Sequence, residues 1–216
     1  ATTEIYTLSL PDALPISSLG HEIAHSWWGS GVAVDRAQGN WAEGLTTYVA
    51  DHLYKERQSR ADAVEYRRNI LRDYATLVAD VGDFPLREFI RWESKASQAV
   101  GYGKAAMVFH MLRKEIGEKA FWGGLRALAG DRMHESADWD DLGRAFEEAS
   151  GKDLGNFFRQ WLERPGAPLL EWGDIHHEER AGSWRVRGSL RQRGKPYQLA
   201  VPIRFTGEKA VEEQVI

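Results

Sequence analysis

The sequence predicts a mainly α-helical domain over residues 17–167, followed by a region of β-strands over residues 168–216. Three observations support this division. Through most of the first part, apolar residues recur three and four positions apart, which is the spacing of an amphipathic helix. Capping residues precede several of these segments, and glycine or proline follows them. After Pro168, apolar and polar residues alternate, as in a strand with one buried face.

The composition is that of a globular chain and excludes several classes of protein. The chain has 216 residues, of which 43% are hydrophobic, so it is long enough for one core or for one domain and part of another. The net charge is −4, so we expect no nucleic-acid partner. No apolar run approaches the ~20 residues of a membrane span. The chain has no cysteine, which excludes disulfides and thiolate metal sites.

The first sixteen residues are expected to be foreign to the protein. Residues 6–16 closely resemble one reading frame of a common DNA-sequencing adapter, with Pro11 as the single departure. An ordinary proline-containing loop or strand is the alternative. We therefore leave residues 1–16 out of the fold prediction. We expect the native part of this chain to begin near Ser17. We also expect the native protein to have further residues before and after this part.

The most informative chemical pattern is the segment 21–25, which reads His-Glu-Ile-Ala-His. Residues four apart lie one turn above each other on a helix, so His21 and His25 can offer two imidazoles to one ion. With Glu22 beside them, this is the H-E-x-x-H arrangement, in which the histidines bind zinc and the glutamate is the general base. A surface helix with two histidines is the alternative. The apolar residues around the histidines argue against it, because buried imidazoles need partners.

A catalytic zinc site needs a third protein ligand, and Glu43 is the candidate. Seventeen residues separate His25 from Glu43, which is enough for the first helix to end and for a second helix to return beside it. The second helix is expected to begin at Asn40. Because Glu43 stands three residues later, a capping box is the alternative role of this glutamate. Asp51 and Thr47, on the same helix, are candidates for orienting an imidazole.

Both segments resemble the gluzincin aminopeptidases, a family that includes aminopeptidase N, puromycin-sensitive aminopeptidase and leukotriene hydrolase. The resemblance rests on His-Glu-Ile-Ala-His-Ser-Trp-Trp-Gly, followed by Asn-Trp-Ala-Glu-Gly-Leu-Thr at 40–46. In the family, the glutamate of a Glu-Gly pair on the second helix is the third zinc ligand. The resemblance therefore implies this role for Glu43, which precedes Gly44. The spacing here is one residue shorter than is usual in the family.

A further segment, residues 98–107, resembles the Tyr-Glu-Lys-Gly segment of the family. Tyr102 and Lys104 match, whereas Gly103 and Ala105 replace the glutamate and the glycine. The resemblance implies that Tyr102 stabilises the transition state. A phenol hydroxyl near the metal can donate a hydrogen bond to the oxyanion that forms during peptide hydrolysis. The alternative is a buried tyrosine at the start of a helix.

The spacing of apolar residues and the capping signals predict the remaining elements. A helix over 59–80 has an apolar stripe that we interpret as core packing, formed by Ala63, Tyr66, Ile70, Tyr74 and Leu77. The other boundaries are predicted as follows: a first helix capped by Ser17 or Ser18 and ended by 29–31, an extended piece at 32–34, an end of the second helix near Glu56, a helix ended by Gly117, a helix over 121–128, a helix capped by Asp138, and a helix over 154–162. Two strands are expected over 184–190 and 197–205, with a turn at 194–196.

The resemblance implies a zinc metallopeptidase of the aminopeptidase type that acts on peptides. One Zn²⁺ ion would be bound by His21, His25 and Glu43, with Glu22 and Tyr102 as the catalytic residues. It also implies a partial thermolysin-like helical domain followed by the start of a β-sandwich. Two alternatives remain open. The chain lacks the Gly-x-Met-Glu-Asn segment that holds the free α-amine in the family, so endopeptidase activity is one. A catalytically inactive, peptidase-derived binding scaffold is the other.

Overall fold

The computed structural model describes residues 16–79, 82–180, 182–207 and 211–216. The expected foreign leader therefore lies outside the described residues, except for its last residue, Ile16. Two compact units are present, the first ending at Pro165 and the second running Gly166–Ile216. The first unit is mainly helical, and the described residues of the second form strands, which confirms the predicted fold class. Within the described ranges, no helix is both long enough and apolar enough to cross a membrane.

The helical unit is built from nine α-helices in its described residues. They are α1 (Ile16–Ala24), α2 (Ala42–Thr46), α3 (Leu53–Gln58), α4 (Arg60–Leu77), α5 (Lys95–Gln98), α6 (Ala105–Ile116), α7 (Glu118–Arg132), α8 (Trp139–Ser150) and α9 (Gly155–Leu162). Two π-helical segments continue these helices without a break. The first π turn, Thr47–His52, joins α2 to α3, and the second π turn, Ala99–Lys104, joins α5 to α6.

A small parallel sheet lies beside the helices. Its strands are β1 (Trp28–Gly29), β2 (Val32–Val34) and β3 (Ser136–Ala137), in the order β1-β2-β3. The extended piece predicted at 32–34 is therefore confirmed. The indole of Trp41 donates a hydrogen bond of 2.8 Å to the carbonyl of Ala137, so the sheet is also tied to the start of α2.

The core of the first unit consists of aromatic and aliphatic side chains from α2, α6, α7 and α8. Phe109 stacks on Trp139 with ring centroids 5.4 Å apart, and Phe121 stacks on Phe146 at 5.3 Å. The largest completely buried side chains include Trp41, Trp139, Tyr48, Phe89, Phe109, Phe121 and Phe146. The two ring pairs thus join α6 and α7 to α8. Helices α2 and α6 also pack against each other, and both lead into the site described below.

Several predicted helix ends are confirmed. The Asp138 side chain accepts hydrogen bonds from the amides of Asp140 and Asp141 at the start of α8, in a capping box. Gly117 ends α6 with a positive φ of 83°. The first helix is different. It already contains Ser17 and Ser18, and it ends at Ala24 rather than at 29–31.

The early end of α1 has a local cause. The amides of Ser26 and Trp27 bond three residues back, to the carbonyls of Ile23 and Ala24, which tightens the last turn. Trp28 then enters the parallel sheet opposite Val32, so the chain cannot continue as a helix.

The second unit contains six strands in its described residues, more than the two predicted. They are β4 (Leu169–Trp172), β5 (His176–Arg180), β6 (Ser183–Arg187), β7 (Leu190–Arg193), β8 (Pro202–Thr206) and β9 (Val211–Val215). They form three antiparallel pairs, β4 with β7, β5 with β6, and β8 with β9.

The predicted strand over 184–190 is divided in the structure because its two parts have different partners. The first part, β6, pairs with β5, whereas Leu190 begins β7, which pairs with β4. The chain must change direction between them, at residues 188–189. The predicted strand over 197–205 is confirmed only in its last residues, as part of β8.

Candidate metal centre

The two histidines of the segment 21–25 lie one helical turn apart and face the same point. His25 directly follows α1, and its amide still donates to the carbonyl of His21 at 3.1 Å. The Nε2 atoms of the two rings are 3.1 Å apart. The structure therefore brings these imidazoles together as their spacing predicts.

Glu43 reaches the same point from α2. Its Oε2 atom lies 3.2 Å from Nε2 of His25 and 3.5 Å from Nε2 of His21. One ligand atom from each of the three residues lies within 4.8 Å of the others. The alternative capping box is not formed, because the amide of Asn40 donates to the carbonyl of Phe89 at 2.6 Å. The Glu43 carboxylate is thus available to a cation.

The outer nitrogen of each imidazole is occupied by an acceptor. Nδ1 of His21 lies 3.0 Å from Oδ2 of Asp51, and Nδ1 of His25 lies 2.9 Å from the carbonyl of Trp28. A carboxylate and a carbonyl only accept, so both Nδ1 atoms carry the hydrogen, and in the neutral rings both Nε2 lone pairs point inward. Two nitrogen ligands and one carboxylate, with their outer partners in place, are the donor set of a catalytic zinc site with an open position. The residues present therefore fit the ion.

The electrostatics favour positive charge at the point where the three side chains meet. Burial lowers the pKa of His21, but its hydrogen bonds to Asp51 and Glu43 outweigh this effect and raise the pKa to about 9. The hydrogen bond that His25 donates to Glu43 is the main reason why the pKa of His25 is raised. Burial raises the pKa of Glu43, yet the two histidines lower it to about 2. Glu43 is therefore a carboxylate at every physiological pH, as a metal ligand must be.

Glu22 and Tyr102 line one cavity, of about 380 Å³, beside His21. The ring of Tyr102 lies parallel to that of His21, with centroids 6.2 Å apart and an interplanar angle of 12°. Burial raises the pKa of the Tyr102 hydroxyl, and the charge of Glu43 and a hydrogen bond to it add to this effect. Tyr102 is therefore a protonated donor at neutral pH. The side chain of Glu22 is exposed, so a water molecule in the cavity can reach it.

The position of Tyr102 differs from the prediction in one respect. It was expected at the start of a helix, but it lies within the second π turn, inside one continuous helix that begins with α5 and ends with α6. Asp51 likewise lies in the first π turn. Each π turn thus presents one polar side chain to the metal centre, which is consistent with the frequent occurrence of π segments at functional sites.

Two glycines allow the surrounding elements to come close enough. A Cβ atom at Gly44 would lie 2.2 Å from the Cβ of Ala105, so α2 and α6 touch through their backbones at the residue after Glu43. A Cβ atom at Gly101 would lie 2.2 Å from the ring of Phe89. These close approaches bring the helix of Glu43 and the helix of Tyr102 to the same point.

Three residues of the α4 stripe that we interpreted as core line the cavity instead, namely Tyr66, Ile70 and Leu77. Among its five residues, only Ala63 is fully buried. The cavity is lined by Tyr66, Ile70, Asp73 and Leu77 from α4, by Lys95, Gln98, Ala99, Tyr102 and Gly103 from the following helix, and by His21, Glu22, Thr47 and Asp51. The sequence contained one signal of this role. Asp73 lies on the same face as Ile70 and Leu77, and a carboxylate is out of place in a core.

The fold and the site define a helical metallopeptidase domain with a histidine, histidine and glutamate centre. Residues 15–161 match the family model described as Peptidase family M1 domain, and the chain belongs to this family. The resemblance inferred from the sequence is therefore confirmed.

Individual relatives agree with the family. The chain is 28% identical to the mitochondrial aminopeptidase 2 of Saccharomyces cerevisiae over 155 residues, which cover 69% of this chain and 16% of that protein. An M1 zinc metallopeptidase from Deinococcus radiodurans, solved with a Tyr-Ser-Ala substrate, has a TM-score of 0.55 at 24% identity, covering 71% of this chain and 34% of its own.

A third relative extends the likeness into the strand unit. Aminopeptidase A of Legionella pneumophila, solved in complex with aspartic acid, has a TM-score of 0.57 at 20% identity and covers 93% of this chain. The chain spans 23% of that structure. At this identity, the comparison shows the fold alone. In every case the chain spans well under half of its relative.

Proposed function

We propose that the chain carries the active site of a zinc aminopeptidase, which removes N-terminal residues from peptides. The observation that carries this proposal is the convergence of three ligand atoms on one point, with both imidazoles fixed in the tautomer that a metal needs. Family membership supports it, as do the aminopeptidase name of the yeast relative and the zinc and peptide of the Deinococcus structure.

His21, His25 and Glu43 are the residues that would hold a single zinc ion. When bound, zinc acts as a Lewis acid and lowers the pKa of a water molecule from 15.7 to about 7. With two neutral imidazoles and one carboxylate, the protein supplies one negative charge, so the site keeps a net charge of about +1. The remaining steps are performed by side chains.

Glu22 is the general base of this mechanism. Its carboxylate accepts a proton from the attacking water and then transfers it to the leaving amine. The placement of Glu22 in the wall of the cavity, next to His21, supports this role because the substrate carbonyl must approach from the same cavity.

Tyr102 stabilises the charge that develops on the substrate. As the water attacks, the carbonyl oxygen becomes an oxyanion, and the phenol hydroxyl donates a hydrogen bond to it. The raised pKa of Tyr102 supports this role, because the hydroxyl keeps its proton at neutral pH.

The Glu22→Gln variant tests the mechanism. We expect one zinc ion per chain, as in the wild type, and a loss of roughly 100- to 10,000-fold in kcat, which is the range for a general base. Zinc is measured by atomic emission and turnover with an unblocked peptide. Glu65→Gln, an exposed change on α4, is the control and keeps full turnover. Retained turnover in zinc-loaded Glu22→Gln would remove Glu22 from this role.

Two further measurements separate the alternatives. A peptide with a free α-amine is compared with its N-acetylated form, and an aminopeptidase cleaves only the first. Equal cleavage of both indicates an endopeptidase, which the missing Gly-x-Met-Glu-Asn segment leaves as the second candidate. A purified chain that binds no zinc would support the inactive scaffold.

A further inference from the structure

We propose that the buried ion pair of Lys104 and Asp83 positions Tyr102, so that its hydroxyl meets the developing oxyanion. This inference rests on the proposed function, because it assigns a purpose to residues that serve the catalytic tyrosine. Neither Lys104 nor Asp83 lines the cavity, and Lys104 is part of the second π turn, so the pair would act on Tyr102 through that turn.

The ion pair is one of the most completely buried charged contacts of the described chain. Nζ of Lys104 lies 2.7 Å from Oδ2 of Asp83, and the side chains are 6% and 7% exposed. The same ammonium donates to the carbonyl of Arg164 at 3.3 Å. Asp83 also accepts from the hydroxyl of Tyr74 and from the amide of Phe84, each at 2.8 Å.

These partners come from separate parts of the unit. Tyr74 belongs to α4, Asp83 to the connection after it, and Arg164 follows the end of α9. Lys104 is the last residue of the second π turn. A single ammonium therefore fastens the end of this turn to three surrounding segments.

The π turn needs such a fastening because it has a competing conformation. Here the amide of Ala105 bonds five residues back, to the carbonyl of Val100, instead of four. Conversion to an ordinary α-helical turn changes the register by one residue and rotates the side chains by about 100° around the helix axis. Such a rotation would take the ring of Tyr102 away from His21. Lys104 cannot follow this rotation without leaving the carboxylate of Asp83 buried and without a counter-ion.

The energetics of buried ion pairs favour this interpretation over simple stabilisation. The cost of removing two charges from water offsets most of their attraction, so a buried pair contributes little net stability compared with apolar side chains of similar size. The pair does impose a single geometry, because any other arrangement leaves a buried charge without its counter-ion. We assign that geometry to the π turn of Tyr102.

The test removes both charges together. The variant Lys104→Met with Asp83→Leu replaces the pair by apolar side chains, so no buried charge is left alone. We expect a folded chain with unchanged zinc content and KM, and a kcat lowered by roughly 10- to 100-fold, which is the cost of a misplaced catalytic group. A phosphonate analogue of the tetrahedral intermediate should bind more weakly by the same factor.

The decisive comparison uses Tyr102→Phe as a second background. If the ion pair acts through the tyrosine hydroxyl, removing the pair in the Tyr102→Phe background causes no further loss of kcat, because the effects of coupled residues do not add. Losses that multiply would overturn the inference, and so would full kcat in the Lys104→Met, Asp83→Leu variant. The matched control removes an exposed pair, Lys152→Met with Glu115→Leu, and leaves kcat unchanged.

Two additional measurements cover other outcomes. Should the double variant fail to fold, Tyr74→Phe removes only one hydrogen bond to Asp83, and its smaller loss of kcat should also vanish in the Tyr102→Phe background. Should the wild-type chain not cleave peptides, the proposed function fails. Amide hydrogen exchange then decides the positioning role. Faster exchange over Ala99–Lys104 in the double variant, but not in the exposed-pair control, supports it, and equal exchange overturns it.

Discussion

Both ring nitrogens of each site histidine have a defined task. Nε2 faces the proposed metal position, while Nδ1 donates to a fixed acceptor, which is a side chain for His21 and a backbone carbonyl for His25. The acceptor determines both the tautomer and the ring orientation. Only the acceptor of His21 can be changed by mutation, which makes Asp51 the informative residue.

Asp51→Asn is expected to weaken zinc binding by roughly 10- to 100-fold, because the amide is a poorer acceptor for the imidazole hydrogen. Competition with a chromophoric chelator measures the dissociation constant. Asp73→Asn is the matched control, since it changes an exposed carboxylate that lines the same cavity. Equal affinities for the Asp51 variant and the wild type would contradict this role.

Tyr102→Phe is expected to lower kcat by roughly 100- to 1,000-fold, the usual loss when one oxyanion donor is removed. Zinc affinity and folding should be unchanged, because the ring still fills the space beside His21. Steady-state kinetics on zinc-loaded enzyme provide the measurement. Loss of zinc together with activity would instead indicate a structural role of the hydroxyl.

Asp51 and Thr47 show that spacing along the chain can name candidate partners for an imidazole but cannot choose between them. On the second helix, Asp51 and Thr47 lie eight and four residues after Glu43, and both were candidates for orienting an imidazole. In the structure, Asp51 bonds to His21, whereas Thr47 lines the cavity. The spacing could not choose between them, because positions four apart on a helix share a face.

At the scale of elements, the site depends on the contact between α2 and α6. Glu43 is held by one of these helices, and the π turn of Tyr102 leads into the other. Gly44 lies against Ala105 between the two helices, where no additional Cβ atom fits. The glycine after the third ligand is therefore explained by packing.

Gly44→Ala is expected to destabilise the chain by about 1–3 kcal/mol, the cost of overpacking a filled interface. It should also reduce zinc binding, because α2 must move away together with Glu43. Thermal unfolding and zinc titration measure the two effects. Adding Ala105→Gly leaves one methyl group at the contact, as in the wild type. This second change should restore both the stability and the zinc binding.

Gly123→Ala provides the control for helix propensity. A Cβ atom at Gly123 would be 3.9 Å from its nearest neighbour, so alanine fits there and should stabilise α7 by up to about 1 kcal/mol. An equal gain in stability from Gly44→Ala would show that α2 and α6 have room to spare.

The π turns were not predictable from the sequence. An apolar stripe at helical spacing predicts a helix, and both segments do continue helices. The second turn packs Gly101 against the ring of Phe89, and the spacing of apolar residues does not show such a contact with a separate segment. The lining of the cavity by α4 could not be predicted for the same reason. An apolar stripe shows that one face of a helix is covered, but it does not show whether that face meets a core or a cavity.

Across the whole molecule, a second group of histidines lies in the helical unit, with His52 buried and His110 half-buried. His52 is 1% exposed, and its Nε2 lies 2.6 Å from a guanidinium nitrogen of Arg67. The His110 ring lies 5.4 Å from that of His52 and bonds to the hydroxyl of Tyr48. A guanidinium can only donate, so His52 must be neutral in the folded chain.

The stability of the chain is therefore expected to fall in mild acid. Burial, and then the charge of Arg67, lower the pKa of His52 to about 4 and that of His110 to about 3. In the unfolded chain both titrate near 6.5. Between pH 6.5 and 4 the unfolded state binds more protons, so the free energy of unfolding decreases as the pH falls. His52 alone accounts for roughly 3 kcal/mol of this decrease.

Urea unfolding between pH 7.5 and 4.5 measures the effect. His52→Gln keeps an acceptor for Arg67 but cannot be protonated, so its stability should decline less steeply. His176→Gln, a change at an exposed histidine of the strand unit, should follow the wild type. An identical pH dependence in His52→Gln would show that the decline arises elsewhere.

The sequence by itself determined the features that depend on neighbouring residues. The four-residue spacing of His21 and His25, the helix cap at Asp138 and the helix end at Gly117 are local, because the backbone geometry of a helix relates residues within one or two turns. The role of Glu43 as a third ligand was inferred from the family resemblance, and the structure brings its carboxylate to both imidazole rings.

Only the tertiary structure decided the features that depend on which distant segments meet. These are the choice of Asp51 as the partner of His21, the two π turns, the cavity wall formed by α4, and the separate partners of β6 and β7. The physical reason is common to all of them. The pattern of residues along the chain shows whether a side chain will be covered, paired or exposed. Which neighbour it meets follows from packing between elements that are far apart in sequence.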